Sequence, residues 1–405
     1  MSAPEPQATD ARRTAIVGIG DSHAGDLAGS PIGGDAIICE DGVISWIGPA
    51  EQADLGGCTT VLDAGGAAVV PGLIDSHVHV TFGDYTPRQR TVGFLESYLH
   101  GGMTRAISAS EVHVPGRPTD VVGVKALAIA AQRCFLDYRP GGVTVHAGSV
   151  ILEPGLTADD FAELYAAGVR LAKGGFGAFA GPRDYAPVVR AAREAGLVVM
   201  VHTGGGSIRG SLELIDARAL LEMRPNVLGH VNGGPTSLSP EENAELVAHG
   251  HDMALQLVQA GNLKSALHIT ELALENGAAH RLLIASDTPT GTGVIPLALL
   301  RTMAELVSLG PLDPAQAIAA ATGNVADTYG LDAGRVAVGR PADFVVLDAP
   351  LGSRAADWRG ALEVGDLPAV SAVVTQGEVR FVRSRNTPPA RRPARVTAGA
   401  PQPLP

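Results

Sequence analysis

Two hydrophobic rhythms divide the chain. Between residues 72 and 310, short apolar runs alternate with stretches in which apolar residues recur every three or four positions. "GLIDSHVHV", "VRLAK", "LVVMVH", "NVLGH", "MALQLVQ" and "LLIASD" are apolar nearly throughout, as strands covered on both faces must be. The stretches between them carry helix starts. In "LTADDFAELYAAG", Thr157 stands three residues before Asp160, which is a capping box. "SPEENAELVAHG" opens with Ser239, Pro240 and Glu242, another strong start. Repeated strand–helix units predict a parallel sheet. About eight strands counted from "GLIDSHVHV" predict an α/β chain built on a (β/α)8 TIM barrel over residues 71–330. A doubly wound open sheet is the alternative.

The flanks read differently. "DAIICEDGVISWIGPA" is strand, turn at Asp41–Gly42, and strand, a hairpin pattern. "GRVAVGRPADFVVLDAP" and "SAVVTQGEVRFVRS" repeat that style after residue 330. Residues 11–70 and 331–385 are therefore expected to pair into one small β-sandwich made from both chain ends. Residues 386–405, rich in Pro, Ala and Arg, read as a flexible, solvated tail.

Composition narrows the functional classes. With 45% hydrophobic and 18% charged residues, the 405-residue chain has ample material for a large core. A net charge of −12 argues against nucleic acid or an anionic membrane as partner, since both need clustered positive charge. No apolar run approaches the roughly 20 residues needed to span a bilayer, and no secretory signal pattern opens the sequence. Three cysteines without close pairing, Cys39, Cys58 and Cys134, fit a reducing compartment, so a cytoplasmic location is expected.

Candidate chemistry lies at the strand ends. Barrel active sites form where strands meet the loops that follow them. His77 and His79 end the first strand, Lys173 the fourth, His202 the fifth, His230 the sixth and Asp287 the eighth. Four imidazoles, a carboxylate and a lysine at one mouth are poor core packing. Imidazole nitrogen and carboxylate oxygen suit zinc and other divalent first-row metals. An ammonium would repel a metal, whereas a lysine converted by carbon dioxide to a carbamate becomes an oxygen ligand able to bridge two ions. Other polar residues have both pocket and packing readings. His146 ends the third strand in "VTVHAGS"; Arg88 and Arg117 lie in rim loops and can clamp a carboxylate; Asn232 precedes the glycines of "VNGG". His23, His100, His249, His251, His268 and His280 read as structural.

The His-x-His of the first strand, the later Lys, His, His and Asp, and the split sandwich resemble the amidohydrolase superfamily. "HVHVTFGDYTPRQ", "HVPGRP", "AGSVILEPGLT", "MVHTGGGSI", "HVNGGPTS", "VQAGN", "DTPTGTGVIPL" and "SRNTPPA" are most similar to its enamidase branch, hydrolases of cyclic amides in nicotinate breakdown. The resemblance covers nearly the whole chain. It implies two divalent ions, zinc first with iron or manganese as alternatives. His77, His79 and Asp287 would hold one ion, His202 and His230 the other, and a carboxylated Lys173 would bridge them. It further implies a metal-bridging hydroxide that opens a small cyclic amide, with Asp287 moving the proton, and a homotetramer or dimer. The enamidase branch carries a glutamate at the bridging position where this chain has Lys173. By the same resemblance His113 leans towards the pocket, and Arg209 in "SIRG" is expected to add a charge there. Hydrolysis of another cyclic amide, a lactone or an ester uses the same ligands. A mononuclear deaminase would carry a glutamate soon after His202, which "HTGGGSIRG" lacks. A non-catalytic scaffold relative would be expected to have lost ligands.

Overall fold

The computed structural model describes residues 12–80, 93–112, 116–205, 214–233, 237–289 and 293–398. The hairpin turn is where the sequence places it. Asp41 and Gly42 have φ of 47° and 84°, and the strands Ala36–Glu40 and Val43–Gly48 pair antiparallel around them. They belong to a five-stranded sheet with Arg13–Val17, Thr60–Asp63 and Arg395–Ala398. A second five-stranded sheet contains Asp21–Ser22 and Ala68–Pro71 from the N-terminal flank. Phe344–Asp348, Ala369–Thr375 and Glu378–Phe381 complete it.

Strand periodicity explains how the second sheet serves two cores. Phe344 and Val346 face the first sheet with Ile16, Ile37 and Leu62. Val345 and Leu347 face the other way, into the large core around the barrel. Burying one such side chain contributes about 1.5–3 kcal/mol, so the sandwich is fastened to the barrel by packing as much as by its own sheets. Arg105 adds an ion pair across the junction, 2.6 Å from Asp343.

The chain end departs from expectation. Arg395–Ala398 is a sheet strand paired antiparallel with Thr60–Asp63, not part of a solvated tail. Ala394 N–H donates to Ser371 Oγ at 2.7 Å, and Arg392 Nε to the buried Asp348 carboxylate at 3.1 Å. Composition hides this because an edge strand tolerates proline nearby and the partners of the basic side chains lie far back in sequence.

Eight parallel strands form the barrel: β1 (Leu73–Val78), β2 (Met103–Ser108), β3, β4 (Leu171–Gly174), β5 (Val198–His202), β6 (Val227–Gly229), β7 (Ala254–Val258) and β8 (Leu282–Ala285). β3 comes in two pieces, Thr144–His146 and Ser149–Ile151. Its break is held by Glu111, whose Oε1 accepts the Gly148 and Ser149 N–H groups at 2.6 Å each. The first piece pairs with β2 and the second with β4. Closure runs from β8 back to β1: Asp287 N–H donates to the His77 carbonyl and His79 N–H to the Thr288 carbonyl, both at 2.9 Å. The helices Ala158–Ala166 and Pro240–His249 begin at the expected capping boxes.

Inside the barrel, Ile74, Ile107, Leu171, Met200, Val227 and Leu283 pack together near the strand starts. Tyr329, last residue of the helix Gly323–Tyr329, packs into the same cluster. The polar residues lie further along the same strands. Among the described residues no helix is long and apolar enough to cross a membrane, and the three cysteines are free.

Candidate metal centre

Strand parity aims part of the polar set inward. Leu171, Met200 and Leu283 occupy the barrel interior. Lys173 and His202 stand two residues after the first two, so each leaves the same face. His230 breaks the rule, standing three residues after the inward Val227. It is turned in by a left-handed backbone, φ 39°, and Asp287 also sits at positive φ, 58°. Such a conformation is uncommon outside glycine and persists where the surroundings hold it. Gly175 keeps the space open: a Cβ there would lie 2.4 Å from the His202 Cβ, at φ 107°.

The six side chains gather at one end of the barrel. The ring centres of His77 and His79 are 5.4 Å apart, those of His77 and His230 5.5 Å, and those of His202 and His230 4.3 Å. Lys173 Nζ lies 3.5 Å from His77 Nε2. His77, His79 and Asp287 form a group whose ligand atoms all fall within 4.8 Å of one another. Nε2 of His77 and Nε2 of His79 each stand 3.3 Å from Asp287 Oδ1. Ligands about 2.0–2.1 Å from a tetrahedral zinc stand roughly 3.3 Å apart, so this group fits one ion. The other two imidazoles also fit a cation. His202 donates Nε2–H to the Gly205 carbonyl at 3.2 Å, which leaves a buried Nδ1 without a partner among the described residues, beside His230.

Electrostatics agree with a cation site. Burial holds His77 and His230 well below the ordinary imidazole range, helped by Lys173 beside His77 and by His202 beside His230. Burial, then Lys173, lowers His202 to about 4. Neutral imidazoles offer lone pairs, which is the form that binds metal. Burial by itself would raise Asp287, yet the neighbouring His77 and His79 keep its carboxyl well below the usual range. Burial lowers Lys173 to about 8, with Asp287 opposing.

Two residues that orient the imidazoles escape a search of strand ends. Gln256, buried on β7, meets His77 Nδ1 with its Oε1 at 2.6 Å and donates Nε2–H to Ser76 Oγ at 2.8 Å. An amide oxygen only accepts, so Nδ1 carries the proton and Nε2 is left as the ligand atom. Ser110 Oγ meets His79 Nδ1 at 3.2 Å. The available signal for Gln256 was a polar residue inside the apolar run "MALQLVQ". Removing such an orienting partner costs roughly 10–100-fold in metal affinity. Gln256→Leu is therefore expected to weaken zinc binding by that factor in a chelator competition, while Gln256→Glu, which keeps the acceptor, stays near wild type. Equal affinity in all three proteins would reduce Gln256 to a space-filler.

The remaining candidates divide. Arg88, His113 and Arg209 lie outside the described residues. Arg117 is not a free clamp: it is ion-paired with buried Glu153 and donates to the carbonyls of Phe176 and Pro118 at 2.8 Å each. Asn232 is engaged too, its Nδ2 donating to the Val258 carbonyl at 3.0 Å while its Oδ1 accepts the Val258 N–H at 2.9 Å. His146 is not at the mouth. Because β3 resumes at Ser149, which pairs with Leu171, His146 lies near the strand starts, at the opposite end from Lys173. His23, read as structural, is buried between the Ala315 carbonyl and the Gly25 N–H.

Comparison with known proteins supplies an independent line. The pattern of the amidohydrolase family matches residues 68–382. Enamidase of Eubacterium barkeri is 44% identical over 385 residues, which cover 95% of this chain and 99% of that protein. Imidazolonepropionase of Pseudomonas aeruginosa is 29% identical over 398 residues, covering 85% of this chain and 95% of that protein. A crystal structure of enamidase, also 44% identical, aligns with a TM-score of 0.89 over 95% of this chain and 100% of that one.

Proposed function

Because the chain belongs to the amidohydrolase family, we propose that it is an enamidase-like hydrolase that opens a small cyclic amide with two divalent ions. Zinc is the first choice, with iron or manganese as alternatives. His77, His79 and Asp287 would hold one ion, His202 and His230 would hold the other, and Lys173, as a carbamate, would serve both. The observation that carries this reading is the pair of 3.3 Å separations from Asp287 Oδ1 to two imidazole nitrogens. Bound there, divalent ions would acidify a water into a nucleophile and polarise an amide carbonyl. The Asp287 carboxylate takes the water's proton and delivers it to the leaving nitrogen. Gln256 keeps His77 in one tautomer throughout. An enamide ring opened in this way leaves an enamine, which tautomerises to an imine and loses ammonia to water.

On this reading residues 11–70 with 331–385, completed by the edge strand Arg395–Ala398, form the supporting domain and residues 71–330 the catalytic one. The same reading carries a cytoplasmic homotetramer or dimer, which sedimentation checks.

The carbamate makes a pH prediction. Carbon dioxide reacts with a neutral amine, not an ammonium. With Lys173 lowered to about 8, the neutral fraction is roughly a tenth at pH 7 and nine-tenths at pH 9. At fixed dissolved carbon dioxide, carbamate formation in metal-free protein is expected to rise about tenfold over that interval and level off above it. Intact-mass measurement follows the adduct, and a rate flat in pH would contradict this.

Metal content per chain, the mass of the Lys173 adduct and ammonia release from 6-oxo-1,4,5,6-tetrahydronicotinate together test the assignment. Two ions with ammonia release support it in full. Two ions without turnover direct the search to other cyclic amides, lactones and esters. Protein that stays metal-free and inactive after loading sinks it.

A further inference from the structure

At the barrel end opposite the imidazoles lies a cavity of about 450 Å³, walled by residues at the starts of β3, β4 and β5 and by the turn after Tyr329. That volume falls among those of small-molecule pockets, roughly 300–1,000 Å³. Arg105, Arg139 and Arg170 line it with His146 and Gln132, and no Asp or Glu is among the lining residues. Arg105 is neutralised by Asp343. The other two guanidiniums have no acidic partner among the described residues. Arg139 gives Nη1 to the carbonyls of Phe135 and Tyr138 at 2.9 and 3.3 Å. Arg170, exposed at the rim, gives Nη1 to those of Tyr165 and Val169 at 2.6 and 2.9 Å. Both residues thus line one cavity with no counter-charge among the described residues, the Arg170 guanidinium lying 3.6 Å from the Tyr165 ring centre.

A second observation points the same way. Arg139 Nε, His146 Nε2 and Gln132 Oε1 are buried and have no hydrogen-bond partner among the described residues. Buried polar atoms are nearly always paired, so three orphans in one cavity mark a missing polar partner. Their chemistry describes it: a guanidinium N–H asks for an acceptor, and an amide oxygen asks for a donor. Burial, then the charges of Arg105 and Arg139, lowers His146 to about 3, so the ring is neutral and adds no charge of its own.

We propose that this cavity binds a small organic anion, its carboxylate or phosphate taken by Arg139 and Arg170 and a hydroxyl or amino group donating to Gln132 Oε1. Guanidinium pairs well with either oxyanion. The site is separate from the proposed metal centre. Leu171 lines the cavity while Lys173, two residues on along β4, stands in the imidazole cluster.

Titration calorimetry of the metal-loaded full chain with malate, inorganic phosphate and, as neutral control, glycerol tests the proposal. One anion per chain is expected to bind with Kd below about 1 mM, and glycerol not at all. Arg139→Gln and Arg170→Gln should each weaken binding at least tenfold, whereas Arg301→Gln, at an exposed helical position, should not. Preference for malate assigns an organic acid and preference for phosphate a phosphate compound. In wild-type protein the His146 ring resonances should move as the anion saturates, a readout that survives even if a variant fails to fold. No saturable anion binding, unchanged binding in both variants, or resonance shifts confined to His202 would overturn the site.

Discussion

Asp287→Asn is expected to lower turnover of a cyclic amide by about 10³-fold, within the 10²–10⁴ range of a positioned general acid–base. Asparagine keeps the shape and one oxygen of the side chain that stands 3.3 Å from His77 Nε2 and His79 Nε2. It cannot accept a proton at neutral pH. It also tolerates the left-handed backbone observed at Asp287, φ 58°, so the fold should survive. Steady-state kinetics on protein of verified metal content make the measurement. Recovery of wild-type turnover at high metal concentration would mean that Asp287 is a ligand only. A loss of less than tenfold would remove it from the proton path.

Lys173→Ala is expected to lose one of the two ions and at least about 10²-fold in kcat, the usual cost of removing one electrostatic stabiliser from a closed site. Lys173 is fully buried, with Nζ 3.5 Å from His77 Nε2 and 3.2 Å from the Met200 sulfur. A bare ammonium so placed would oppose metal binding. The truncated side chain leaves a hole that acetate or propionate can enter, so either acid should restore part of the second ion and part of the rate. Metal analysis with and without the acid separates the cases. Two ions in the unsupplemented variant would show that Lys173 bridges nothing.

Much of this molecule was legible from local pattern, and the reasons are specific. Hydrophobic runs mark strands because a parallel strand is buried on both faces; the capping boxes at Thr157 and Ser239 and the Asp41–Gly42 turn depend only on neighbours three or four residues away. Lys173 and His202 could be placed inward because side chains alternate with period two. The failures share one cause. "VTVH" looks like the finish of a strand, yet β3 pauses at Ala147–Gly148 and resumes, leaving His146 near the start. The chain end looks solvated by composition, yet it completes a sheet with Thr60–Asp63. Arg117 looks available, yet Glu153 occupies it.

By itself the sequence determined the alternation of strand and helix, the polar residues at the ends of the first, fourth, fifth, sixth and eighth barrel strands, and the family to which those residues point. These are short-range properties, set by side-chain period, caps and turn chemistry. Only the tertiary structure decided which polar residues share one space. His230 reaches the cluster through a left-handed turn that its neighbours enforce. Gln256 reaches His77 from 179 residues away, and closure of β8 onto β1 brings Asp287 to the two imidazoles. Those arrangements depend on pairings between distant segments, which no local window of sequence contains.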